Sequence, residues 1–186
     1  IRNWVGNGSR MLVARALVGK IEVLEDELNT DTLDHAEAVF FTAYKDISGS
    51  KTVAYPDVDD GLKQLKAAGY TLALVTNKPM GFVPKILQSF GWQELFSAVL
   101  GGDSLPQKKP DAAPLLHVCQ TLGVTPAQAI MIGDSRNDIL AGQNAGMDTL
   151  GLSYGYNYGQ DIRKLNPTHA FDDFAALVQW ILQNDA

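Results

Sequence analysis

The hexapeptide Gly133-Asp134-Ser135-Arg136-Asn137-Asp138 directly follows the apolar run Ala129-Ile130-Met131-Ile132. A short apolar run of this kind reads as a buried parallel strand. The break into Gly-Asp-Ser and then a helical stretch puts the Asp134 carboxylate at the carboxyl end of a sheet. That edge is where open α/β sheets hold their ligands. Two carboxylates four residues apart there suggest a divalent cation or a phosphate-handling site. The chain is therefore expected to be α/β.

The rest of the chain is punctuated to match. Residues 9–28 read as an amphipathic helix on the spacing of Leu17, Ile21, Leu24 and Leu28. Asn29-Thr30-Asp31 caps a second helix, with Leu33, Ala36, Phe40, Tyr44 and Ile47 on one face. Past Pro56, helical and apolar segments alternate: helix from Val58 to Gly69, strand from Tyr70 to Val75, helix from Phe82 to Phe90. A strand at 97–100, a helix at 113–122, the strand before Asp134, a helix to Ala145, strands at 149–152 and 169–171 and a helix at 173–182 follow. Alternation of this kind predicts a parallel sheet covered on both faces. The boundary between the helical pair and the alternating part falls between Ser50 and Tyr55.

Composition excludes several classes. The 186 residues are 46% apolar, enough for one core plus a small accessory unit. The net charge is -6 with no cluster of Lys and Arg, so no nucleic-acid partner is expected. The single cysteine, Cys119, permits neither an internal disulfide nor a Cys-His metal pattern. No apolar stretch approaches the ~18 residues of a membrane span, and there is no signal-peptide pattern. No membrane partner and a cytoplasmic location are the corresponding expectations. His35, His117 and His169 match no ligand spacing and read as structural.

Three strand ends carry polar groups. Thr76-Asn77-Lys78-Pro79 follows the strand ending at Val75. A hydroxyl and successive backbone N–H groups at such a turn suit phosphate oxygens, although a simple helix cap reads equally well. Lys108-Lys109-Pro110-Asp111 offers a lysine able to neutralise a phosphoryl group as a point charge, or a solvated surface lysine. Asp134 and Asp138 supply hard oxygen donors for Mg²⁺, or acids stabilised at a helix N-terminus.

In that order on successive βα units, the three groups resemble the haloacid dehalogenase superfamily. The resemblance implies a Rossmann-like core at residues 54–186 and part of an inserted all-helical cap at residues 1–53. Trp4-Val5-Gly6-Asn7-Gly8 with Arg15-Ala16-Leu17, Val75-Thr76-Asn77-Lys78-Pro79, and Leu152-Ser153-Tyr154-Gly155-Tyr156-Asn157-Tyr158-Gly159 are similar to the bacterial phosphoglycolate phosphatase branch. What this implies is a Mg²⁺-dependent phosphomonoester hydrolase acting on 2-phosphoglycolate, a small phosphorylated acid, through an aspartyl-phosphate. By the same match, Thr76 and Asn77 bind phosphoryl oxygens and Lys109 balances charge on nucleophile and phosphate. Asp134 ligates the metal, and Asp138 sits behind it, orienting a water ligand or Lys109. Asn7 and Arg15, at the cap start, are candidates for substrate contact. Tyr154, Tyr156 and Tyr158 line the substrate mouth or pack the sheet edge.

The superfamily's first motif, Asp-x-Asp-Gly-Thr on a strand ahead of the cap, is not in this sequence. Asp57-Val58-Asp59-Asp60-Gly61 is a poor look-alike: no apolar strand precedes it, and Val58, Leu62 and Leu65 are helically spaced. These acids suit a helix start. The absent strand would be the central one, and its loss would leave a slot between its two neighbours. Unpaired buried backbone groups cost about 1–3 kcal/mol each, against total stabilities of ~5–15 kcal/mol. The chain is thus expected to be a piece of a longer enzyme, marginally folded and inactive by itself. Rival readings are another small-molecule phosphatase of the superfamily, a phosphoglucomutase, or a non-catalytic domain binding phosphate and Mg²⁺.

Overall fold

The structure, a computed structural model, describes residues 4–24 and 27–184. Positions 25 and 26 of the first expected helix, and the ends of both expected units, lie outside them. Two helices come first, α1 (Ser9–Val18) and α2 (Thr30–Ile47). The alternating part follows: α3 (Val58–Ala67), β1 (Leu72–Val75), α4 (Val83–Phe90), β2 (Phe96–Leu100), α5 (Ala113–Leu122), β3 (Ile130–Gly133), α6 (Arg136–Ala145), β4 (Asp148–Leu152), β5 (His169–Phe171) and α7 (Phe174–Asn184).

The first helix is shorter than its apolar spacing predicts. Gly19 takes a left-handed conformation (φ 80°) and its N–H bonds the Arg15 carbonyl, which closes α1. Glycine reaches that region without steric cost. Leu24, on the extrapolated face, is 62% exposed. The second helix begins as expected, with Asn29 Oδ1 accepting the Asp31 N–H. Its packing face is narrower than predicted. Phe40 stacks on Tyr44, and Tyr44 and Phe41 both meet Phe82 at the start of α4, while Ile47 is 61% exposed. The Asp57–Asp60 acids do populate a helix start: Asp59 pairs with Lys63 at 2.6 Å and accepts the Trp92 indole N–H.

All strand pairings are parallel, but they fall into two sheets. β1 pairs with β2, and β3-β4-β5 form a second ladder. Among the described residues β1 and β3 share no ladder, although both sheets feed the same cores. Leu72 and Ile132 pack against the cluster of Leu65, Leu150, Leu152, Phe174, Leu177 and Val178. Val75 and Met131 pack against Leu115, Ala141 and Ala145. Strand burial follows from this division. β4, paired on both sides, is buried from Thr149 to Leu152, whereas no residue of β1 or β3 is fully buried. Ile130 is left 41% exposed. Among the described residues β1 and β3 are thus each an outer strand of their sheet.

Candidate active site

The carboxyl ends of β1 and β3 bring the three polar motifs to one edge. The β3–α6 turn is built around Asp138, third residue of α6. Its Oδ2 accepts from the Ser135 hydroxyl (2.7 Å), the Ser135 N–H (3.1 Å) and the Asp134 N–H (3.2 Å). This is a capping box, which satisfies the free donors of the first helical turn. Ser135 is spent as the cap. Gly133 makes the turn possible, because a Cβ there would overlap the Asp138 side chain.

The other Asp138 oxygen faces Lys109. Lys109 Nζ donates to Asp138 Oδ1 at 2.7 Å and to the Val75 carbonyl at 2.5 Å. Both side chains are buried. The lysine therefore bridges the end of β1 to the start of α6. Of the two partners expected for Asp138, Lys109 is the one it contacts.

Asp134 is placed differently. Burial pushes its carboxyl above the ordinary value, and the Asp138 charge adds to the shift. The Tyr156 N–H, Lys109 and its own N–H offset part of it. Its carboxylate lies against the backbone of Gly155, where a Cβ would overlap it. Asp134, Asp138, Lys109, Ile132, Tyr55 and Tyr154 line a cavity of about 250 Å³. The Tyr154 hydroxyl is buried there without a hydrogen-bond partner. Burial, with the Asp134 charge, pushes it up to about 12, so it is present as a neutral phenol and a free donor.

On the β1 side, the Thr76 hydroxyl accepts the Lys78 N–H at 3.1 Å. The Asn77 amide donates to the Lys109 carbonyl (2.8 Å) and to the Gly6 carbonyl (3.1 Å). Lys78 Nζ donates to the Tyr44 hydroxyl at 2.6 Å. Burial of Tyr44 works against its ionisation, but Lys78 and Ser48 together leave the phenol below its ordinary value. The turn therefore holds both the loop before α1 and the helix α2.

Thr76, Asn77, Lys109, Asp134 and Asp138 are brought together. Asn7 sits at the rim, where its Oδ1 accepts from the Tyr158 hydroxyl and from Asn137 (3.3 Å). Arg15 is buried, donates to the Trp4 and Ile21 carbonyls at 2.7 Å each, and stands over the Tyr158 ring. Those donors are spent on the chain on either side of α1, on Trp4 before it and Ile21 after it. Sequence reasoning missed Asn137, Gly155 and the Tyr156 N–H. Each acts through contacts between segments far apart in sequence, or through backbone, which periodicity does not report.

The donor set at Asp134 bears on the metal question. Among the described residues no three His, Cys, Asp or Glu side chains converge. One half-buried carboxylate, under-compensated for its charge, nevertheless fits Mg²⁺, which takes one or two carboxylates and fills its sphere with water and substrate oxygens.

The chain is thus a parallel α/β protein of the kind that carries acids, a lysine and a hydroxyl at one strand edge. The sequence profile of the haloacid dehalogenase-like hydrolases matches residues 13–152, and the chain belongs to that family. It is 77% identical over 183 residues to the phosphoglycolate phosphatase of Psychrobacter arcticus, covering 98% of this chain and 80% of that protein. It is 44% identical over 178 residues to the phosphoglycolate phosphatase of Colwellia psychrerythraea, covering 96% and 78%. The crystal structure of a predicted phosphoglycolate phosphatase from Haemophilus somnus superposes with a TM-score of 0.84 at 40% identity, over 96% of this chain and 80% of that one. Among the described residues no helix is long and apolar enough to cross a membrane.

Proposed function

We propose that this chain carries the substrate and metal side of a phosphatase site for 2-phosphoglycolate. The observation that supports this most is the convergence of Thr76, Lys109 and Asp134 at the carboxyl ends of β1 and β3. Thr76 and the backbone N–H groups after it bind phosphoryl oxygens. Lys109, anchored by Asp138, neutralises charge that develops on the phosphoryl group. Asn77 holds the turn and Lys109 in register through its side-chain amide, and Asn7 and Arg15 shape the substrate side from the cap, residues 1–53. Asp134 would hold Mg²⁺, which when bound supplies positive charge to the phosphoryl oxygens. The nucleophile would be an aspartate on a further strand pairing with β1 and β3, which the described residues do not contain, and the ester would be cleaved through an aspartyl-phosphate. Such a strand would pair the unpaired edges of β1 and β3 and join the two sheets of residues 54–186 into one.

The relatives named for phosphoglycolate favour that substrate over other small phosphate esters or a phosphoglucomutase reaction. The test is phosphate release from 2-phosphoglycolate, with and without Mg²⁺. It is run on this chain and on one preceded by a strand carrying Asp-x-Asp-Gly-Thr. Mg²⁺-dependent turnover by the second alone is expected. Turnover by the first would remove the need for the added strand. Cleavage only of other esters would overturn the substrate.

A further inference from the structure

The loop Trp4–Gly8, which leads into α1, is tied to the core by contacts that phosphate chemistry does not require. The Gly6 carbonyl accepts from two side chains at once: Asn77 Nδ2 at 3.1 Å and Asn137 Nδ2 at 2.9 Å. Asn137 Nδ2 also reaches Asn7 Oδ1, which the Tyr158 hydroxyl bonds from the other side. Arg15, from α1 itself, holds the Trp4 carbonyl and lies 5.3 Å from the Tyr158 ring centre. Asn137 is 5% exposed. Gly6 has a positive φ of 140°, and a Cβ there would come within 2.6 Å of the Tyr158 hydroxyl. Only glycine leaves the loop this close to Tyr158.

We propose that Asn137 and Tyr158 are positioning residues that clasp the start of the cap onto the phosphate turn. Asn137 is the second residue of α6, one before Asp138, so a single helical turn aims one side chain at the cap loop and the next at Lys109. The Gly6 carbonyl is shared between Asn137 and Asn77, which lies in the phosphate turn. Anything that orders the Thr76–Lys78 turn therefore steadies the cap loop through the same oxygen. The clasp rests on the reading of that turn as a phosphate site only for its coupling to phosphate, not for its geometry.

The test is hydrogen–deuterium exchange of the whole chain, as wild type, Asn137→Asp and Tyr158→Phe, with and without inorganic phosphate. Aspartate keeps the shape of asparagine and is favoured in the first helical turn, yet offers no donor to Gly6 or Asn7. Phenylalanine keeps the ring under Arg15 and removes only the hydroxyl. In Asn137→Asp, residues 4–18 should exchange about tenfold faster, the loss of one to two net hydrogen bonds, with β4 unchanged. Tyr158→Phe should show a smaller increase in the same segment. Phosphate should slow exchange at 4–8 in the wild type and, through the Asn77 bond to Gly6 that the variant keeps, also in Asn137→Asp, from its faster starting rate. Unchanged exchange at 4–18 in both variants overturns the clasp, as does an increase spread equally over β4, which marks general destabilisation. Absence of phosphate protection at 76–78 counts against the phosphate site alone, because the variant effect without phosphate still tests the clasp.

Discussion

Lys109 Nζ and Asp138 Oδ1 form a 2.7 Å ion pair whose side chains are only 8% and 11% exposed. A pair so far from water is supported by further hydrogen bonds on both sides. The lysine also has the Val75 carbonyl, and the carboxylate has Ser135 and the Asp134 N–H. Removing one partner strands the other charge. Asp138→Ala is predicted to cost about 3–5 kcal/mol of folding stability, and a paired Lys109→Met, Asp138→Leu change to cost less than the sum of the two single changes. Urea unfolding of the wild type, Asp138→Ala, Lys109→Met, Asp138→Leu and the double variant reads this directly. Additive losses would show that the pair has no special weight.

Gly155 has an ordinary backbone conformation and is required for another reason: the Asp134 carboxylate occupies the space where its side chain would be. Gly155→Ala is predicted to push Asp134 out of position while leaving the sheet intact. Disturbing a group that orients a metal ligand commonly costs 10–100-fold in affinity. The Mg²⁺ concentration that raises the melting temperature half-maximally should therefore increase by about tenfold or more. An unchanged midpoint would mean that the loop yields and the carboxylate does not.

Local punctuation made most of the fold legible. Gly91, Gly123 and Gly146 all end helices in the left-handed conformation, and the apolar runs before Thr76 and Asp134 became β1 and β3. The same rules overran at α1, because Ile21, Leu24 and Leu28 continue the helical spacing past a glycine that had already closed the helix. At the site, the residue types at the strand ends were readable. Their partners were not: Lys109 and Asp138 lie 29 positions apart, and Asn137 and Gly6 lie 131 apart. Hydrogen bonds of that span are set by how β1 and α6 come to one edge, and no periodicity encodes them. The three tyrosines show the same limit. Tyr154 packs on the core and against Tyr55, Tyr158 meets Asn7, and Tyr156 uses its backbone.

Cys119 is 4% exposed inside α5, and burial pushes its thiol above the ordinary value of 9.0. The reactive thiolate is thus disfavoured by both access and charge. Alkylation at pH 8 should run about a hundredfold slower in the native chain than in urea, with a rate set by opening of α5. The raised value also carries a sign: the neutral thiol favours the fold below pH 9, and that contribution is lost as pH rises through the folded value. Native labelling as fast as in urea would place α5 outside the stable core.

Asp134 carries the most specific pH prediction. Its carboxyl lies above the ordinary 3.8 because burial and the Asp138 charge disfavour its ionised form. A group raised in this way favours the fold while protonated, fully so below pH 3.8, and that contribution is lost as pH rises through the folded value. At neutral pH the metal-free chain therefore holds a charge that its neighbours compensate only in part. Asp134→Asn removes the charge and keeps the shape, and should stabilise the metal-free protein by about 1 kcal/mol at pH 7. The difference from wild type should shrink as pH falls and vanish below 3.8. Saturating Mg²⁺ should reverse the ranking at pH 7, because the wild type gains binding energy in the folded state and the variant does not. Thermal unfolding of both proteins across pH 3–8, with and without Mg²⁺, measures all three outcomes. A variant less stable than wild type at pH 7 without metal would show that the Tyr156 N–H and Lys109 already compensate the charge.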